Sequence, residues 1–195
     1  MDLNTLKFIN TPVARENIYY DVLVSKDLEG SLVRSIYDFC SKTKKTYGII
    51  YVDRNEDAES FARYLEHGED MSAESYFGDK TDRFEVLRKW MDGEISFLVA
   101  TTESFGFGIF REDLTFVIHL CYSKNMRAFY QESGRAGGDG QISFSRIITR
   151  TEGALKEMND YLQTKKCRRQ HICKIFEENV PDCISKCDNC LDKYG

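Results

Sequence analysis

The sequence predicts an α/β domain with a mainly parallel sheet flanked by helices, followed by a small helical metal-binding module. Two observations carry this. Short apolar runs rich in β-formers alternate with amphipathic stretches of roughly ten residues, which implies parallel pairing through βαβ units. Five of the seven cysteines lie between Cys167 and Cys190. They sit in a polar tail of about 45 residues, below the size that usually folds on a hydrophobic core alone. The domain is placed over residues 1–150, with its first element near Asn17, and the module over residues 151–195.

Asn17 to Val24 is the lead-in strand, and Leu28, Leu32, Ile36 and Phe39 line up as one helical face. Tyr47 to Val52 (YGIIYV) is a buried strand bounded by polar residues. Asn55 is placed as the cap of the next helix, in which Ala58, Phe61, Ala62 and Leu65 follow the i, i+3, i+4, i+7 spacing. Met71 to Tyr76 is a weaker strand. Thr81 is placed as an N-cap with Asp82 in the first turn, where a carboxylate suits the helix dipole. Phe84, Leu87 and Met91 then form the apolar face of that helix, with Trp90 beside it. Ser96 to Thr101 and Phe116 to Leu120 are further strands, and Ile142 to Ile148 alternates as a half-exposed strand does. Leu155, Met158 and Leu162 define a helix beginning near Thr151. A last helix near Arg168 to Phe176 leads into the cysteines.

Composition excludes several classes. A hydrophobic share of 42% with 30% charged residues argues against wholesale disorder. With 13 Gly and 2 Pro, collagen-like and Pro-rich linker classes fall away. No stretch approaches the roughly 20 apolar residues that span a bilayer, and Met1 to Asn10 carries no signal-peptide core. A soluble intracellular protein with no membrane partner is expected. The net charge of −5 argues against a chain that is basic throughout, leaving local basic patches open. An odd cysteine total without a secretory signal argues against a disulfide scaffold.

Cys167, Cys183, Cys187 and Cys190 give C-x15-C-x3-C-x2-C. Two thiolates two residues apart can aim at one ion, and a second pair from another segment completes a tetrahedron. Zinc is the default ion for an all-sulfur site without redox chemistry, and binding it would supply the folding free energy the module lacks. Cys173 and His171 are rival ligands, and unrelated reduced thiols are the bland alternative. Lys165, Lys166, Arg168, Arg169 and Lys174 cluster beside the first ligand. They read either as a phosphate-tracking patch or as a solvated face, with Arg168 or Arg169 bracing the module against Glu177, Glu178 or Asp188.

Residues 131–140 read QESGRAGGDG, a Gly-rich turn that presents a guanidinium, the donor suited to phosphoryl groups. This segment resembles motif VI of superfamily 2 helicases, and QESGRAG is similar to that of the RecQ DNA helicases. ATTESFGFGI (Ala100 to Ile109) resembles motif V, with FVIH (Phe116 to His119) following at the expected place. GIIYVDRNEDAESFARYL (Gly48 to Leu65) resembles motif IV, and CRRQHICKIFEE with CISKCDNC resembles the RecQ zinc-binding subdomain. The resemblance implies a second RecA-like lobe plus zinc module, with ATP in the cleft between lobes, DNA across both, and net motion 3′ to 5′ in DNA repair and recombination. Gln131 and Arg135 would face the nucleotide. In the motif V loop, Gly106 and Gly108 would meet the nucleotide and Thr101 and Thr102 the DNA. Arg54, Arg168 and Arg169 would contact the DNA backbone. A nuclear or nucleoid location follows from the same resemblance.

No G-x-x-x-x-G-K-[ST] loop and no DExH box occurs in the sequence. Alone, the chain is expected to bind ATP poorly and not to hydrolyse it. ATP and Mg²⁺ would require a first lobe in cis or in trans, so the chain reads as a piece of a longer helicase or a partial gene product. It departs from the family pattern in three places. Where the family carries an arginine finger, which can supply about 10³–10⁵ in rate, Gly138 stands. Where motif V has an Asp, Phe110 stands, and a His-Ala-Gly run is replaced by Phe77, Gly78 and Asp79 after Tyr76. Arg146 or Arg150 could replace the finger only if the fold returned one to the cleft. Two functions are therefore expected: half of an ATP-driven helicase, or a degenerate lobe kept for DNA or protein contact. Phe105 and Phe107 are the best base-stacking candidates, and His119 is read as structural.

Overall fold

The computed structural model describes residues 13–43, 46–104, 109–150 and 156–194. Six strands form one sheet: β1 (Ile18–Val24), β2 (Tyr47–Val52), β3 (Ala73–Tyr76), β4 (Phe97–Thr101), β5 (Leu114–His119) and β6 (Ser143–Thr149). Their order is β1-β6-β5-β2-β4-β3, and every pair is parallel. This is the predicted α/β class. The helices are α1 (Leu28–Lys42), α2 (Asn55–Arg63), α3 (Arg83–Asp92), α4 (Met126–Ser133), α5 (Lys156–Gln163), α6 (Arg168–Ile175) and α7 (Asp188–Tyr194). A π turn, Tyr64–Gly68, extends α2.

Strand alternation splits the core into two layers. On one face Ile50, Val52, Val99, Phe116 and Ile118 pack against Leu32, Ile36 and Phe39 of α1 and Ala58, Ala62 and Leu65 of the α2 segment. On the other, Ile49, Tyr51, Leu98 and Val117 meet Val86 and Trp90 of α3. Further along that face Ile18, Tyr20 and Ile147 meet Met126, Phe129, Met158, Tyr161 and Ile172. The cysteine segment belongs to this last cluster and closes the edge of β1. Tyr20 bridges to Cys187, its amide donating to the Lys186 carbonyl at 3.1 Å, and the Val22 amide donates to Asp188 at 3.2 Å. A strand edge open to pairing is thereby covered.

Four local expectations are corrected. Asn55 does not cap α2: Arg54 stands at the cap, and the Asn55 amide donates to Asp79 at 3.0 Å. The cap of α3 is Asp82 rather than Thr81. The inward face of α3 is Val86 and Trp90, while Phe84 and Met91 are 70% and 44% exposed. The indole is the largest apolar group on the helix, and burying it rotates the other two outward. Finally, β6 is not half-exposed, because β1 and β5 flank it. Arg146 finds partners inside: it donates to both Asp21 oxygens and to Ser35 at 2.9 Å, its guanidinium over the Phe39 ring.

Candidate functional site

The cysteine centre assembles as the spacing predicts. Cys167 caps α6, Cys190 lies in α7 and Cys187 just precedes it. The four Sγ atoms of Cys167, Cys183, Cys187 and Cys190 all lie within 4.8 Å of one another, with Cys183 and Cys187 3.5 Å apart. A tetrahedral zinc with bonds near 2.3 Å requires sulfurs about 3.8 Å apart, so the donor set fits that ion. Hydrogen bonds from Cys183 and Cys187 hold the Cys167 thiol far below its usual range, and Cys183 is pushed up in return. Cys187 rises to about 12 through its contact with Cys167. A cation among them is what lets all four ionise together. Cys173 and His171 stand outside the group. Cys173 is buried on α6, its thiol pushed up to about 11 by burial, and His171 meets the Tyr161 ring edge-on.

The arginine pair beside Cys167 divides. Arg168 is 4% exposed and grips both oxygens of Asp188, Nε at 2.6 Å and Nη2 at 2.8 Å, while Nη1 donates to the Tyr161 carbonyl at 2.7 Å. Its assignment to DNA is therefore corrected: it braces the module, joining α5, α6 and α7. Arg169 is also buried, with an Nε that has no hydrogen-bond partner, beside a cavity of about 330 Å³ lined by Glu16, Asp182 and Lys186.

The Gly-rich turn follows α4, whose Asn125 cap accepts from the Ala128 amide at 2.9 Å. Gln131 is exposed at the end of this helix and Glu132 points inward. The Glu132 carboxylate accepts from His119 Nε2 at 3.0 Å and from the Ser123 hydroxyl. His119 is thus structural, fully buried and stacked on Tyr51 with centroids 5.0 Å apart. Arg135 donates through Nη1 to the Ile109 carbonyl at 2.8 Å. Backbone bonds from Gly137 to Leu114 and from Asp139 to Glu112 fix the turn against residues 109–114.

Arg15 was missed by sequence reasoning. Its guanidinium donates to the carbonyls of Gly134, Ala136 and Gly137 at 2.9, 3.0 and 2.9 Å. Asn17 adds a bond to Gly137 at 2.9 Å. Gly137 has φ +67°, and a Cβ there would stand 2.3 Å from the Asn17 amide nitrogen, so glycine is required. No local pattern marks Arg15, because its partners are some 120 residues away.

At the strand ends, Thr101 is buried and its carbonyl accepts from Ser104. Thr102 is half-buried. Gly106, Gly108, Phe105 and Phe107 lie outside the described residues. Arg54 is exposed where predicted, past β2, but its guanidinium is held by Asp57 at 3.0 and 2.9 Å. Arg146 is tied to Asp21 on the α1 face, and Arg150 lines a groove with Val24 and Leu162. Neither contacts the Gly-rich turn among the described residues. The Phe110 ring instead covers Gly138.

Residues 31–140 match the helicase conserved C-terminal domain, and residues 123–191 match the RecQ zinc-binding domain. Similar curated proteins include ATP-dependent DNA helicase Q-like 2 of Arabidopsis thaliana, 33% identical over 95% of this chain. ATP-dependent DNA helicase RecQ of Bacillus subtilis is 29% identical over 94%. The chain spans 29% and 34% of the length of these relatives. Among solved structures, a DEAD box protein from Methanococcus jannaschii superposes with a TM-score of 0.60 at 22% identity, over 84% of this chain and 41% of that one. The E. coli DEAD-box protein SrmB gives 0.56 at 18%, over 67% and 76%. These two show a shared RecA-like fold.

Proposed function

The chain belongs to the helicase conserved C-terminal domain family, in its RecQ branch, and from that premise we propose that it is the second motor lobe and zinc module of an ATP-dependent 3′–5′ DNA helicase. Residues 1–150 form the lobe in this reading and residues 151–195 the module. The observation that carries it is the Gly-rich turn, pinned at its carbonyls by Arg15 and offering Gln131 and Arg135 beside residues 109–114. A first lobe, in cis or in trans, brings ATP and Mg²⁺ to this edge; Gln131 and Arg135 orient the phosphates as donors. Zinc, held by Cys167, Cys183, Cys187 and Cys190, supplies folding energy to the module. DNA runs across the strand ends at Arg54, Thr101 and Thr102, with Arg169 on the module, the crevice where open α/β sheets place ligands. Arg54 must leave Asp57 to reach a phosphate. Such a protein works intracellularly, on nuclear or nucleoid DNA in repair and recombination.

The test joins this chain to a RecQ-type first lobe and measures DNA-stimulated ATP hydrolysis and unwinding of a 3′-tailed duplex. Arg135→Ala is expected to lower turnover at least about tenfold, since one charged donor to a phosphoryl group is worth that or more. Equal turnover in the two proteins overturns the reading.

A further inference from the structure

Glu132 is an acid in the wrong place for stability. It lies in the last turn of α4, where the helix dipole disfavours negative charge, and it is 9% exposed. Packed apolar side chains generally hold such a position at less cost than a buried ion pair. Its two donors come from one segment: His119 ends β5 and Ser123 follows in the loop. The His119 ring is pinned in turn between Tyr51, at 5.0 Å, and Phe129, at 5.2 Å. Tyr51 pairs with His119 across β2 and β5, and the Leu120 amide donates to the Tyr51 carbonyl at 2.8 Å.

Two rungs therefore hold α4 and the Gly-rich turn that follows it. One is Ser123 and His119 to Glu132; the other is Arg135 to the Ile109 carbonyl. Rotation of α4 about its axis would break the Glu132 hydrogen bonds, which weaken steeply with distance and angle, and would carry the packed Met126 and Phe129 with it. A ratchet of this kind sets both the face on which Gln131 stands and the point from which Arg135 departs.

We propose that Glu132, gripped by His119 and Ser123, is the positioning residue that locks the rotation of α4 and so aims Gln131 and Arg135. The inference rests on the nucleotide-facing reading only for its consequence; its geometry is measurable without nucleotide. The guanidinium Nη–H signal of Arg135, whose Nη1 donates to the Ile109 carbonyl, reports it in the ¹⁵N NMR spectrum of this chain. In Glu132→Leu, exchange of that proton with water is expected to rise about tenfold, the scale of one lost hydrogen bond. Glu132→Gln, which keeps one acceptor oxygen, is expected to retain most of the protection. Asp21→Asn, which breaks the separate Arg146 pair, is expected to lower the melting temperature and leave the Arg135 signal in place. Ser123→Ala, which removes the second donor to Glu132, carries the same test if Glu132→Leu does not fold. An unmoved Arg135 signal, or one that Asp21→Asn moves as far, overturns the proposal. The Arg135→Ala turnover measurement judges the nucleotide reading separately.

Discussion

The Phe110 ring lies over Gly138: a Cβ at residue 138 would stand 2.6 Å from the ring's Cζ. The two positions where this chain departs most from the RecQ pattern in motifs V and VI thus meet in space. Gly138 lacks a finger side chain, and the ring occupies the path along which one would leave the backbone. Phe110 is 54% exposed, so the cover is an apolar one on an otherwise polar turn.

This contact predicts how a restored finger behaves. In the two-lobed protein, Gly138→Arg alone is expected to raise ATP turnover only a few-fold, because the new stem must displace the ring. Gly138→Arg with Phe110→Ala is expected to approach the roughly 10³-fold scale of an arginine finger. Steady-state ATPase rates decide it; a full gain from the single substitution would show that the ring offers no obstacle.

Loss of one sulfur should release the module. Cys187→Ser is expected to abolish stoichiometric zinc by metal analysis and to lower the melting temperature. The same residue bridges to Tyr20 on β1, so hydrogen exchange is expected to rise in β1 as well as in α6 and α7. Protection that stays unchanged in β1 would mean the sheet edge does not depend on the metal.

Arg168 and Arg169 should separate cleanly. Arg168→Ala leaves Asp188 without its bidentate partner and is expected to destabilise by about 3–5 kcal/mol in urea unfolding, as broken buried pairs do. Arg169→Ala is expected to flatten the salt dependence of single-strand DNA affinity by about one counterion, and to destabilise less than Arg168→Ala because no carboxylate is left unpaired. The reverse pattern would return Arg168 to the DNA.

Acid should find Glu132. Burial raises its pKa, but the bonds from His119 and Ser123 and the charge of Arg135 outweigh burial and hold the carboxyl below its ordinary range. A depressed folded pKa contributes stability that is present above the unfolded value and is lost as pH falls through the folded one. Glu132→Gln is expected to lose about 1–3 kcal/mol at pH 7, the worth of charged hydrogen bonds. Its stability is expected to fall less steeply than the wild type's below about pH 4.5. Parallel curves from denaturant melts across pH would remove the carboxylate from the account.

Local chemistry alone determined the parallel α/β class, the strands from Tyr47 to Val52 and Ser96 to Thr101, and the four-cysteine ligand set; that Cys173 and His171 stand outside it was left to the fold. Period-two and period-3.6 patterns and ligand spacing are properties of short stretches, and they survive folding. Only the tertiary structure decided which face of α3 goes inward, that β6 is sandwiched, that Arg168 is a brace, and that Arg15 holds the Gly-rich turn. Each of these depends on partners between about 20 and 120 residues away, brought close by the sheet order. A charged or aromatic side chain reads the same in sequence whether it meets water, a carboxylate or a carbonyl, and packing makes that choice.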